Sequence, residues 1–280
     1  MRASIDMNPP NSRASALETT TVIMPIGGLA TRARELTGDL IPKHLILLGN
    51  GKPILHHVLR GLQGAGFRDF VFCVGQHKEQ IANFIHNEEW NSTGANYRLS
   101  EEEELLGPDG AVQQAIEVLG IEGRAMVVPG DAMLPWGGLA EMTDFHAQNG
   151  DGITAGVTSY ITERTTDVGR LVVEDDTNRL LWCYPREAQD LKGDQVGSRG
   201  LTSAAAMVIN IAEYMTILDV YKSESAEPGT EKIGFRDDIA PWLIQNGEYQ
   251  VRAFDVRGEV LDLGTPKNIA YGIEHWQDYA

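Results

Sequence analysis

Apolar residues recur along this chain with two different periods. Val22, Ile23, Met24 and Ile26 form a short continuous run, interrupted by Pro25, that predicts a buried strand. From Lys52 onward Ile54, Leu55, Val58, Leu59 and Leu62 fall on one helical stripe, with Gly64 and Gly66 as its stop. Phe70 to Val74 predicts a second strand, and Ile81, Phe84 and Ile85 give the next helix its buried side. Strand, loop, helix, strand, helix opens a doubly wound, Rossmann-like α/β fold with a mostly parallel mixed sheet.

The pattern continues with a strand over Ala125 to Val128, a helix around Leu139 to Gln148 and a strand from Ile153 to Ser159. Val168 to Val173 and Arg179 to Trp182, joined by a D-D-T-N turn, predict a small β hairpin or lobe. Ala204 to Ile209 is a small-residue strand, Asp237 to Ile244 a short helix, and Tyr249 to Phe254 and Glu259 to Leu263 two further strands. Residues 187–200 read as a loop and Lys222 to Thr230 as a flexible connection. The first 20 residues are polar, contain proline and lack periodicity, which predicts a mobile leader before one domain over 21–280.

Composition narrows the function classes. With 280 residues, 42% of them hydrophobic, the chain can bury a full core. The formal net charge of −17 argues against non-specific binding to nucleic acid or to an anionic membrane, since both need a positive field. No apolar run approaches a membrane span and the N-terminus lacks a signal-peptide core, so the cytoplasm is the expected location. Cys73 and Cys183 lack the spacing of a metal knuckle or redox pair and read as buried or semi-buried free thiols. His56 and His57, adjacent on a helix, point to different faces, and no H-E-x-x-H spacing occurs; surface or helix-packing roles are expected for the histidines.

Candidate chemistry gathers behind the first strand. Gly27 and Gly28 follow it directly, where a backbone without Cβ can turn sharply and approach a ligand. Thr31 adds a hydroxyl and Arg32 a guanidinium, and Pro42 fixes the backbone ahead of a second cation, Lys43. A glycine turn at a strand's carboxyl end, with two cations, suits a polyphosphate. The Walker pattern fails because Ile46 stands where its first glycine belongs, and G-x-G-x-x-G fails at Leu29-Ala30. Asp131, after Pro129-Gly130, places a carboxylate where open α/β sheets put ligand chemistry. Near the end, Asp262 stands among apolar neighbours in V-L-D-L-G-T-P, where it can also bond its own turn, and Thr265 and Pro266 begin a helix. The acidic run Glu101 to Glu104 reads as a solvated edge, and Asp109 as a helix cap.

Together G-G-L-A-T-R, I-P-K, L-G-P-D-G-A, P-G-D and D-L-G-T-P resemble, in order, the motifs of the sugar-phosphate nucleotidylyltransferases. That resemblance implies transfer of a nucleotidyl group from a nucleoside triphosphate to a sugar-1-phosphate, with Mg²⁺ held by Asp131 and Asp262. It implies Arg32, Lys43 and Asp131 as catalytic residues, and Gly27, Gly28, Thr31, Arg32, Gly107 and Gly110 as nucleotide-binding positions. Gly169 and Ala206 are the implied acceptor-binding positions, and Arg186, two residues beyond the missing lysine, is the cation expected in its stead. Relatives often form dimers or tetramers, so a homo-oligomer is an open expectation. Three departures stand out: Ala30 replaces a glycine, Pro108-Asp109 replaces Thr-Ala, and Cys183-Tyr184-Pro185-Arg186 replaces E-K-P. The missing E-K-P lysine points to an acceptor other than plain glucose-1-phosphate, such as a modified sugar or cyclitol phosphate. The alternative reading is a regulatory protein that binds nucleotide or sugar phosphate and has lost catalysis.

Overall fold

Val22 and Met24 turn to one side of strand β1 (Thr20–Pro25) and Ile23 to the other, and all three are fully buried. A strand apolar on both faces belongs in the middle of a sheet covered on both sides. The computed structural model describes residues 16–28, 33–38, 40–87, 90, 92–149, 152–159, 170–184, 198–225, 232–247 and 249–279. In it β1 lies between β2 (Asp69–Val74) and β4 (Arg124–Val127), parallel to both, and β3 (Asn96–Glu101) extends the sheet beside β2. On the other side β9 (Ser198–Asn210) pairs antiparallel with β4 and with β6 (Ile153–Thr158), and β10 (Val251–Asp255) closes the edge in parallel with β6. The expected mostly parallel mixed sheet is thus present.

Two apolar cores sandwich it. One packs α2 (Ile54–Ala65), α3 (Lys78–Ile85), α5 (Trp136–Asn149) and α8 (Pro266–His275), following α1 (Arg34–Thr37) in chain order. The other packs α4 (Gly107–Leu119), α6 (Ile211–Ser225) and α7 (Ala240–Asn246). A separate ribbon pairs β5 (Ala132–Met133) antiparallel with β11 (Leu261–Asp262).

The predicted hairpin exists as β7 (Arg170–Glu174) and β8 (Leu180–Tyr184), and β7 pairs with the leading half of β9. One 13-residue strand therefore serves both the main sheet and the hairpin. Between them the β6–β9 register slips, from Ala155 opposite Met207 to Val157 opposite Ser203, and Ala205 takes φ 53°. This bulge fits because Gly156 stands against it: a Cβ there would lie 3.0 Å from the Ala206 carbonyl oxygen.

Three expectations are corrected. Residues 16–20 are not leader: Ala16–Thr19 form a turn in which Leu17 packs on the core and accepts the Thr20 N–H at 3.2 Å. Lys222 to Ser225 are the last residues of α6, a helix whose buried Ile211, Tyr214, Ile217 and Leu218 make it part of the body rather than a connection. The helix expected over Asp237–Ile244 begins as a π-helical turn, Phe235–Ile239, before α7.

Candidate active site

The carboxyl ends of β1 and β4 point the same way, and the chain leaves β1 toward β2 on one side while β4 joins from the other. That reversal of strand order makes a crevice at the sheet's edge. Gly27 and Gly28 sit at its centre, held where Ile26 donates its N–H to the Cys73 carbonyl at 2.9 Å. Gly27 is confined: a Cβ there would collide with the Glu102 carboxylate and come within 3.0 Å of the Gly75 nitrogen. Thr31 and Arg32 lie outside the described residues, as do Gly169 and Arg186 on the acceptor side.

Lys43 opens a one-turn 3-10 helix, Lys43–Leu45, preceded by Pro42 at φ −65° and ψ 142°. The proline therefore presents the lysine as expected, and the Lys43 ammonium forms an ion pair with the Asp131 carboxylate, both side chains largely buried. Asp131 follows Gly130, whose lack of Cβ leaves room for Ile26 and for the His44 ring: a Cβ there would lie 2.5 Å from Ile26 Cγ2 and 3.1 Å from His44 Cδ2.

The β5–β11 ribbon brings the backbone of Asp262 beside that of Asp131. Asp262 is directly opposite Ala132, and Leu263 donates its N–H to the Asp131 carbonyl at 2.9 Å. Asp262 accepts the Gly264 N–H at 2.8 Å through Oδ1, and its carbonyl accepts from the Asn268 side chain at 2.7 Å. Asp262 thus bonds its own turn, as its place before Gly264 allows. Thr265 caps α8, accepting the Asn268 N–H at 3.3 Å, as the sequence predicts. Among the described residues no group of three or more His, Cys, Asp or Glu could hold a metal ion.

Beside the glycine turn opens a cleft of about 380 Å³, lined by Gly27, Gly75, Gln76, Lys78 and the Glu101–Leu105 run. The acidic run is not merely a solvated edge. Glu102 is half-buried and accepts the Leu106 N–H at 3.4 Å, and burial raises its pKa. Gly107 has φ +77°, and the backbone of Ile233 occupies the space a side chain would take. Gly110 is buried in the first turn of α4.

Asp109 does not cap α4. It lies inside the first turn, buried, and accepts hydrogen bonds from the Tyr214 hydroxyl and from the Phe235 N–H at 2.5 Å. Burial pushes its pKa up to about 6 against those hydrogen bonds. Ala206 turns its methyl into the core, while Ala205 is the exposed residue of that pair. His44 is a residue that periodicity did not single out. It is buried beneath Gly130–Asp131, burial and then Lys43 lower its pKa to about 3, and its Nδ1 has no hydrogen-bond partner among the described residues. Cys73 is a buried thiol that donates to the Ala111 carbonyl and is pushed far above its usual pKa by burial; the Cys183 side chain lies outside the described residues. His57 is buried against Trp276 and bonds Asn50 at 3.2 Å, the packing role expected of it.

The nucleotidyl transferase family model matches residues 20–275. A mannose-1-phosphate guanyltransferase of Debaryomyces hansenii is 28% identical over 247 residues, covering 88% of this chain and 62% of that protein. The chain thus spans about three fifths of the length of the curated relatives it matches. Among solved structures, HddC from Yersinia pseudotuberculosis complexed with GMP-PN superposes with a TM-score of 0.66 at 20% identity, over 92% of this chain and 99% of that one. UDP-glucose pyrophosphorylase complexed with UDP-glucose gives 0.72 at 13% identity, over 93% and 99%. At these identities the two structures establish the fold. No helix among the described residues is long and apolar enough to cross a membrane.

Proposed function

The chain belongs to the nucleotidyl transferase family, and on that footing we propose that it joins a nucleoside triphosphate to a sugar-1-phosphate or sugar-like phosphate, releasing pyrophosphate. The observation that carries this reading is the β5–β11 ribbon, which sets Asp262 opposite Ala132, the neighbour of Asp131, with Lys43 paired to Asp131 and the glycine turn at the end of β1. In the reaction an acceptor phosphate oxygen bonds to the α-phosphorus as the bond to the leaving pyrophosphate breaks. No enzyme nucleophile is needed, so positioning and charge neutralisation do the catalysis.

Lys43 is assigned the α-phosphate and acceptor phosphate, and its pairing with Asp131 keeps both charges compensated until substrates arrive. Arg32, outside the described residues, is assigned the leaving β- and γ-phosphates. Asp131 and Asp262 are hard oxygen donors suited to Mg²⁺, which when bound supplies charge neutralisation at phosphate oxygens. The glycine turn lets the backbone approach the phosphates, and Gln76 and Glu102 face the adjoining cleft, the natural seat of the base. A carboxylate accepts two N–H donors side by side, which guanine offers at its Watson–Crick edge and uracil and thymine do not. Glu102 therefore favours GTP, in keeping with the mannose-1-phosphate guanyltransferases among the relatives. On the acceptor side the replaced E-K-P lies in part outside the described residues, and the acceptor is assigned only as a sugar-like 1-phosphate.

Pyrophosphate release, measured with Mg²⁺ and the five common nucleoside triphosphates against hexose-, heptose- and cyclitol-1-phosphates, tests the reading. GTP- and acceptor-dependent release is the expected result. Nucleotide binding without release across the panel would favour the inactive regulatory reading.

A further inference from the structure

Leu106 is a junction of backbone hydrogen bonds. Its N–H reaches the Glu102 carboxylate at 3.4 Å, on the wall of the cleft, and its carbonyl accepts the Ile233 N–H at 2.9 Å. Ile233 returns the contact, accepting the Asp109 N–H at 3.0 Å, and its backbone fills the space beside Gly107. The strand-like piece Lys232–Gly234 is thus laid against the start of α4 by main-chain bonds on both sides.

What fixes it there is one side chain. Asp109 uses Oδ2 to take the Phe235 N–H and Oδ1 to take the Tyr214 hydroxyl, so a single buried carboxylate clamps α4, α6 and the start of the π-helical turn together. Asp238 closes the far side of the same piece by accepting the Gly234 N–H at 2.8 Å. The path runs from Tyr214 through Asp109 and Ile233 to Leu106 and Glu102 without a gap, and each link is a buried or half-buried hydrogen bond. In the family resembled above, a Thr-Ala pair stands where this chain has Pro108-Asp109, so the clamp is a property of this sequence.

We infer that Asp109 is a positioning residue for the nucleotide: through Ile233 and Leu106 it sets the Glu102–Leu105 wall against which the base is held. The inference rests on the transferase reading for which cleft wall receives the base, but not on turnover.

Two variants and two readouts test it. Asp109→Asn keeps one acceptor oxygen, and Tyr214→Phe removes only the hydroxyl donor; Kd for GTP by equilibrium dialysis is read beside KM and kcat. Both variants are expected to weaken GTP about three- to tenfold in Kd and KM, with acceptor KM and kcat within about twofold of the unaltered protein. A lower melting temperature with GTP affinity unchanged in both variants would make Asp109 merely structural and overturn the inference. So would an equal rise in acceptor KM. If the unaltered protein binds GTP without releasing pyrophosphate, the transferase reading fails and the Kd comparison still decides the role of Asp109. If it binds no nucleoside triphosphate, both fall.

Discussion

Two buried carboxylates, Asp131 and Asp109, are compensated in opposite ways. Asp131, on the β4–β5 turn, is 7% exposed and held by a cation, Lys43. Asp109, on the first turn of α4, is 3% exposed and held by neutral donors, a tyrosine hydroxyl and a main-chain N–H. A carboxylate balanced by a mobile ammonium can exchange that partner for a metal or a phosphate-bound ion without leaving a charge stranded. One balanced by fixed dipoles cannot, and its burial cost shows as a pKa raised to about 6. The first arrangement suits chemistry and the second suits holding parts together.

The sharpest way to break this comparison is to neutralise each side in turn. Lys43→Ala or Asp131→Asn is expected to lower turnover by about 10²–10³-fold while the far-ultraviolet circular dichroism stays unchanged. Near-normal turnover in either variant would remove the ribbon from the mechanism.

On the structural side, Gly107→Ala forces a side chain into φ +77° and onto the Ile233 backbone, where its Cβ would lie 2.6 Å from the carbonyl oxygen. A cost of about 2–3 kcal/mol is expected, read as a lower urea midpoint.

Titration separates the two kinds of burial further. The folded pKa of Asp109, about 6, lies above the unfolded value of 3.8, so its contribution is full below 3.8 and lost as pH rises through about 6. His57 and His146, lowered by burial to about 4 from 6.5, act oppositely: their contribution is full above 6.5 and lost as pH falls toward 4. Each group changes stability by about 1.4 kcal/mol per pH unit within its window. The Asp109→Asn variant should therefore lose stability more steeply on acidification from pH 6 to 4 than the unaltered protein, as measured by urea unfolding across that range. The smallest effect is expected from Thr265→Ala, which removes the α8 cap for about 1 kcal/mol and a fall of a few degrees in melting temperature.

The same contrast explains what the sequence discloses. Lys43 and Asp131 stand next to a proline and a glycine, and Asp262 lies two residues before Gly264, so their backbone placement follows from short-range geometry. Asp109 does not: a carboxylate near a helix start reads as a cap, yet Gly107 at positive φ begins the helix two residues earlier and turns Asp109 inward toward partners 105 and 126 positions away. Glu102 hides in a run of four acids, and only the return of the chain beside Gly27 makes it part of a cleft. Helix α6 is masked in the sequence although Ile211, Tyr214, Ile217 and Leu218 have helical spacing, because Ile211 continues the apolar run of the preceding strand. His44 is ordinary in sequence and becomes notable only when Gly130 packs on it.

One consequence follows from β9. Because a single strand pairs with β4 along its trailing half, with β7 along its leading half and with β6 across both, the hairpin cannot detach as an independent module. The strand behaves as a beam with its fulcrum at Ala205, and force applied to the hairpin end reaches the middle of the sheet, one strand from the turn that bears Asp131.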